Sequence, residues 1–203
     1  MPEVAAGAAD LTAVARIRNA ALDGFARDGV AATSIRSVAE AAGVSPGLVQ
    51  HHFPSKAALR IAVNEYVIRI AREAFADVPV EGDAAAIFED FGDRITALVR
   101  EHPTALRYVA RAAAEGDPAA LDLFDGFVAI TEAQQGRLAD AGLLEPGLDR
   151  TWAALHLVVF NLGTVMLEEA IDRHLPEPFR REESLERWNA ASTAFFRRAL
   201  TRP

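Results

Sequence analysis

The chain contains no cysteine, which excludes disulfide frameworks, thiolate nucleophiles and cysteine-based zinc sites. Long hydrophobic runs are missing as well. The most apolar segment, Trp152 to Leu167, is interrupted by His156, Asn161, Gly163 and Thr164. It falls short of the roughly 18 apolar residues that suggest a membrane span. The N-terminal stretch MPEVAAGAADLTAVARIRNA has no basic region followed by a long apolar one, so no signal peptide is expected. A soluble, cytoplasmic protein with no membrane partner is the expectation. β-branched runs are short and no segment alternates convincingly with period two, which argues against strands. The histidines His51, His52, His102, His156 and His174 show no HExxH or other ligand spacing, so no metal site is expected. Neither a GxSxG elbow nor a P-loop occurs, and no GxGxxG follows a strand. No cofactor is expected, and the chain is not read as an enzyme.

What is present favours helices. Half of the 203 residues are hydrophobic (51%), enough for a substantial core in one large domain or in a small module joined to a larger one. Alanine, leucine and arginine dominate. The net charge is −8, but residues 1–60 hold six basic and five acidic side chains, a balance of +1, which leaves −9 for the rest. The acidity therefore lies outside the N-terminal segment.

Apolar residues Leu11, Val14, Ala15, Ile17, Ala21, Leu22 and Phe25 recur at helical spacing, predicting a first helix over about Leu11 to Asp28. Asp28-Gly29 stops it. Thr33 or Ser34 can cap a second helix with Ile35, Val38, Ala39 and Ala42 inward, and Gly43 turns the chain. Ser45-Pro46 opens a short third helix that runs to about Phe53. After Pro54-Ser55 a fourth helix runs from Lys56 to about Asp77, and Val78 to Asp83 reads as a linker. Further helices are expected at about 84–101, 103–115, 118–142, 149–174 and 182–201, separated by His102-Pro103, Gly116-Asp117-Pro118, Glu145-Pro146-Gly147 and Pro176-Glu177-Pro178. The fold class is all-α, with about nine helices.

The segment TSIRSVAEAAGVSPGLVQHHFPSK, Thr33 to Lys56, carries the most information. A helix that enters the major groove needs small or polar residues near its start and apolar residues behind it. Leu48 or Val49 and Phe53 can face inward, while Ser45, Gly47, Gln50, His51 and His52 can face DNA. Gln50 suits adenine, because its amide can pair with that base in two places. Thr33 and Lys56 suit phosphate oxygens, as does the positive end of the fourth helix.

These residues resemble the N-terminal DNA-binding module of TetR-family transcriptional regulators. The matching positions are Thr33, Ser34, Arg36, Ala39, Ala42-Gly43-Val44-Ser45, Gly47, Val49, His52, Phe53, Ser55, Lys56 and Leu59, within about residues 11–60. Where that family usually has tyrosine this chain has Gln50, which moves the expected contact from backbone toward a base edge. The resemblance, with Pro46 included from the turn, gives a DNA-contacting set of Thr33, Ser34, Arg36, Ser45, Pro46, Gly47, Gln50, His51, His52 and Lys56.

The resemblance further implies that residues 1–55 bind double-stranded DNA at a palindromic operator. Residues 56–203 would then bind a small-molecule effector and form a homodimer. The helix at 149–174 is apolar nearly all round, so it must be covered from several directions. With the last helix it suggests a four-helix interface through Val159, Met166, Trp188, Ser192, Phe195 and Phe196. Effector candidates are the aromatic cluster Phe91, Tyr108, Phe124, Phe127 and Phe160, with His156 and Asn161 as polar groups in an apolar helix. The expected function is that of a ligand-released repressor. Two alternatives stand beside it: a constitutive dimeric DNA-binding protein, and a helical enzyme or carrier with a vestigial helix-turn-helix.

Overall fold

The computed structural model describes residues 2–78, 84–116 and 118–201, with side chains for all of these except 2–11 and 118–120. Ten helices occur among the described residues: α1 (Pro2–Asp28), α2 (Ile35–Ala42), α3 (Pro46–His52), α4 (Lys56–Ala74), α5 (Ala84–Glu101), α6 (Pro103–Glu115), α7 (Pro118–Asp140), α8 (Arg150–Met166), α9 (Glu168–Asp172) and α10 (Glu182–Leu200). The only extended pairing among them is an isolated bridge between Leu144 and Thr201. Most of the expected linker, 79–83, and Asp117 lie outside the described residues.

The chain divides into two compact units, 1–67 and 68–203, a division that falls inside α4. The reason is visible in the first half of α4. Leu59, Val63 and Val67 are buried, as are Ile17, Ala21 and Phe25 of α1 and Val38 and Ala39 of α2 in the same unit. The Arg18 guanidinium also sits 3.6 Å from the centre of the Tyr66 ring. The first helix begins earlier than its apolar stripe indicates, since Pro2 suits the first helical position and the alanine-rich run that follows has high helix propensity.

In the second unit α10 packs chiefly on α5, and α8 packs on α6 and α7. The core includes Ile87, Phe88, Leu138, Leu144, Ala153, Phe196 and Leu200. The segment expected as one helix at 149–174 is two, α8 and α9, with Leu167 between them at φ −98° and ψ 15°. Side-chain ties beyond the break account for it. Glu168 takes a two-point ion pair from Arg180 at 2.9 and 2.7 Å. Asp172 accepts from the Phe179 N–H at 2.6 Å.

At Gly92 the side chains of α10 leave no room for a side chain on α5. A Cβ there would collide with Asn189 Oδ1 and Thr193 Oγ1. Glycine to alanine inside a helix ordinarily stabilises by about 1 kcal/mol, whereas overpacking costs about 1–3 kcal/mol. Gly92→Ala is therefore expected to lower the thermal midpoint, and a rise in Tm on thermal unfolding would show that α10 can retreat.

Candidate nucleic-acid interface and ligand cavity

In the first unit, α2 and α3 owe their geometry to short-range chemistry. Ser34 Oγ accepts from the Ser37 N–H at 3.0 Å while the Ser34 N–H donates to Ser37 Oγ at 3.0 Å, a reciprocal cap. The turn after α2 runs through Gly43 at φ 64°, a left-handed conformation that side chains other than glycine resist. Ser45 then caps α3, its Oγ accepting from the Leu48 N–H at 3.1 Å, with Pro46 at the start of the helix. Val49 is fully buried and Phe53 nearly so, which locks α3 to its neighbours.

The outward side of α3 is polar. Ser45, Pro46, Gly47, Gln50 and His51 are exposed, as are Ser34 and Arg36 on α2 and its cap. His52 is half-buried, its ring edge-on to His51 at 5.2 Å and to Phe53 at 6.5 Å, so it packs as well as faces outward. Lys56, the only lysine of the chain, donates from Nζ to the Ala31 carbonyl at 3.0 Å and so ties the loop before α2 to α4. That bond uses one of its three N–H groups.

Thr33 is placed differently from its expected role. It is 5% exposed, and its hydroxyl donates to the Gly29 carbonyl at 2.9 Å. A buried hydroxyl bonded to the backbone holds the loop between α1 and α2 and does not reach a phosphate. Thr33→Val is expected to cost about 1–3 kcal/mol of stability. DNA affinity of the folded protein should be unchanged. A titration showing weaker DNA binding with unaltered Tm would return Thr33 to the contact surface.

The second unit contains a cavity of about 150 Å³ among α5, α7, α8 and α10, with Phe75 and Leu106 at its edge. Of the effector candidates, Phe91, Phe127 and Asn161 line it. Tyr108 is buried in the core and the other three do not line the cavity: Phe124 is half-buried, while His156 and Phe160 are exposed on α8. Sequence reasoning overlooked Phe75, Ile95, Ile130, Gln134 and Leu157 as lining residues. The signal was the Gln134-Gln135 pair in a largely apolar helix.

Of the residues expected at a subunit interface, Val159, Met166 and Phe195 are 57%, 54% and 61% exposed. Trp188, Ser192 and Phe196 turn instead to the cavity. Trp152, Val159 and Met166 follow one another at a seven-residue spacing on α8, a stripe with Leu167 and Phe160 beside it. Phe196 joins the cavity to this stripe. Its ring meets Phe160 at 5.1 Å and Phe195 at 5.2 Å, both edge-to-face.

The C-terminal end of α4 is held by side chains of the same unit. Arg94 donates to the carbonyl oxygens of Ala74 at 2.8 Å and Asp77 at 3.4 Å. Gln134 Nε2 donates to the Phe75 carbonyl at 3.0 Å and Oε1 accepts from Arg137 at 3.1 Å. Arg137 also donates to the Val78 carbonyl. These bonds end α4 at Ala74 rather than at Asp77, because its last carbonyls find side-chain donors.

A capped helix-turn-helix with an outward polar second helix, followed by a helical unit around an apolar cavity, is the architecture of a helix-turn-helix DNA-binding regulator. The chain belongs to the TetR family of helix-turn-helix transcriptional regulators. The family described as "Bacterial regulatory proteins, tetR family" matches residues 17–63, and "Tetracyclin repressor-like, C-terminal domain" matches residues 101–194. The chain is 31% identical over 159 residues to the HTH-type transcriptional regulatory protein RaaS of Mycobacterium tuberculosis, covering 78% of this chain and 72% of that protein. It is 30% identical over 169 residues to the HTH-type transcriptional regulator UidR of Escherichia coli K12, covering 77% and 82%. A tetR-family regulatory protein from Rhodococcus RHA1 shares the fold with a TM-score of 0.71 at 20% identity, over 94% of this chain and 98% of that one.

Proposed function

We propose that this regulator is a homodimeric repressor that grips a palindromic operator through α3 of each subunit and lets go when a small, largely apolar effector fills the cavity of the second unit. The observation that carries this reading is an apolar cavity in a chain whose other unit presents an exposed, polar α3.

The dimer reading rests on the apolar stripe of α8 with Phe195 of α10. A contiguous exposed patch of this kind marks an association surface. Its seven-residue spacing suits side-by-side helix packing between two copies. Two α3 helices would then meet half-sites about one helical turn apart, roughly 34–36 Å, or a multiple of that. The modest charge of residues 1–60 supports the same reading, because one copy supplies few phosphate contacts.

Release requires that the effector bind two states of the dimer unequally. Two routes lead out of the cavity. Gln134 links its wall to the Phe75 carbonyl at the end of α4, and α4 is the chain segment common to both units. Phe196 links the wall to Phe160 and Phe195 on the apolar stripe.

Within the DNA-contacting set, Gln50 is assigned to base edges, Arg36 and Lys56 to phosphates, and Ser34 and Ser45 to holding the helices in register. Gln50→Ala is expected to reduce discrimination between operator and random DNA by about 1–3 kcal/mol per half-site with little loss of non-specific affinity. Lys56→Ala should weaken binding to all sequences and reduce the salt slope by about 1 per subunit. Binding titrations on operator and scrambled duplexes at several salt concentrations test both. The roles are misassigned if Lys56→Ala changes sequence preference alone.

A further inference from the structure

Resting on the ligand-responsive reading above, the geometry points to the chemical class of the effector. We propose that the cavity takes an uncharged, single-ring molecule bearing one hydroxyl or carbonyl group, with its polar end at Asn161 and Ser192.

Size and wall set the ring. A cavity of about 150 Å³ is on the scale of an apolar cavity that admits benzene, which is about 150 Å³. Its wall includes Phe75, Phe88, Phe91 and Phe127, with centroids of Phe75 and Phe91 6.1 Å apart and those of Phe88 and Phe91 6.4 Å apart. Faces and edges at these separations suit a further aromatic ring in offset or edge contact.

The charge follows from what the wall offers. None of its 25 described residues is an Asp, Glu, Lys, Arg or His, and an ion buried without a partner is strongly disfavoured. Charged residues next to the wall in sequence or bonded to it are committed elsewhere, Arg137 to Gln134 and the Val78 carbonyl. Arg94 pairs with Asp90 at 2.7 Å and holds the Ala74 carbonyl. Asp93 accepts from Asn189 at 2.7 Å.

The polar end follows from hydrogen-bond accounting along the wall. Gln134 uses both ends of its amide, on the Phe75 carbonyl and on Arg137. Gln135, with its amide turned to suit its neighbours, donates to the Arg150 carbonyl at 3.0 Å and accepts from the Ala154 N–H at 3.1 Å. The Thr131 hydroxyl donates to the Phe127 carbonyl and that of Thr193 to Asn189. Asn161 spends one N–H on the Leu157 carbonyl at 2.7 Å, and among the described residues its amide oxygen, the Ser192 hydroxyl and the buried Trp188 indole N–H have no protein partner. An amide that keeps an acceptor and an N–H, on the same wall as a hydroxyl that can donate or accept and an indole N–H, recognises an alcohol or a carbonyl.

The test uses the full chain and benzene-ring probes that differ in one group: toluene, benzyl alcohol, acetophenone, benzoate and benzylamine, measured by titration calorimetry at neutral pH. Benzyl alcohol and acetophenone are expected to bind, with benzoate and benzylammonium weaker by more than about 100-fold. Ser192→Ala, a small change that leaves the helix intact, and Asn161→Leu should each weaken benzyl alcohol by about tenfold and leave toluene unchanged. Binding of benzoate or benzylammonium as tight as that of the alcohol overturns the proposal, as does failure of every probe to bind. Equal loss of toluene and alcohol in both variants overturns the polar seat. Release of DNA is read separately. Probes that bind in this pattern without freeing the operator sustain the ligand class and overturn the ligand-responsive reading on which it rests.

Discussion

Phe195→Asp is expected to leave a folded monomer that has lost most of its operator affinity. Phe195 is 61% exposed in the isolated subunit, so a carboxylate there meets water and should not unfold the chain. In a dimer formed through the α8 and α10 face the same carboxylate would be buried opposite its own copy, where two like charges without partners repel. Each subunit would then hold one half-site alone. Linking two weak half-site contacts raises affinity by about 10²–10⁴-fold through effective concentration alone, and this factor should vanish. Val159→Asp, 57% exposed on α8, should behave alike. Sedimentation together with operator titration checks both variants. A dimer that survives either substitution would place the interface elsewhere on the molecule.

The second large effect is expected at Gln134. Replacement by leucine keeps the cavity wall apolar but removes the donor to the Phe75 carbonyl and the acceptor for Arg137. Leaving such a part-buried group unpaired costs at most about 1–3 kcal/mol, which for a chain of this size lowers Tm by about 2–4 °C per kcal/mol. The functional consequence is more specific. An effector should still bind Gln134→Leu while releasing DNA less well, because the wall no longer reports to the end of α4. Gln135→Leu is the control. Its amide faces the Arg150 carbonyl and the Ala154 N–H of α8, so it should lose stability with release intact. Calorimetry for effector affinity and gel-shift titration for release separate these outcomes, and equal loss of release in both variants would remove Gln134 from the coupling route.

Much of the fold is written in local signals. Ser34, Gly43, Ser45 and Pro46 fix the ends of α2 and α3 because caps and left-handed turns depend on one or two residues. His102-Pro103 marks the start of α6 in the same way. What escaped sequence reasoning depends on partners far along the chain. The break at Leu167 follows from Arg180 reaching Glu168, and the end of α4 from Arg94, Gln134 and Arg137 reaching its carbonyls.

The candidate sites divide along the same line. The exposed polar set on α3 was legible because Val49 and Phe53 had to face inward, leaving Gln50 and His51 outward. Thr33 was misplaced because a threonine before a helix can face either way, and only the Gly29 carbonyl decides. On α10, Trp188, Ser192, Phe195 and Phe196 all share helical spacing, yet Phe195 faces outward and the other three face the cavity. A stripe wide enough to serve two surfaces has no sequence mark that divides it.

The most direct test of a dimer that reads DNA through α3 is a protection footprint on genomic fragments selected by the full chain. An inverted repeat is expected, with two protected major-groove segments whose centres lie one helical turn or a whole multiple apart, and with loss of the repeat's selectivity in Gln50→Ala. Protection of a single unrepeated segment, or selectivity unchanged by Gln50→Ala, would contradict it.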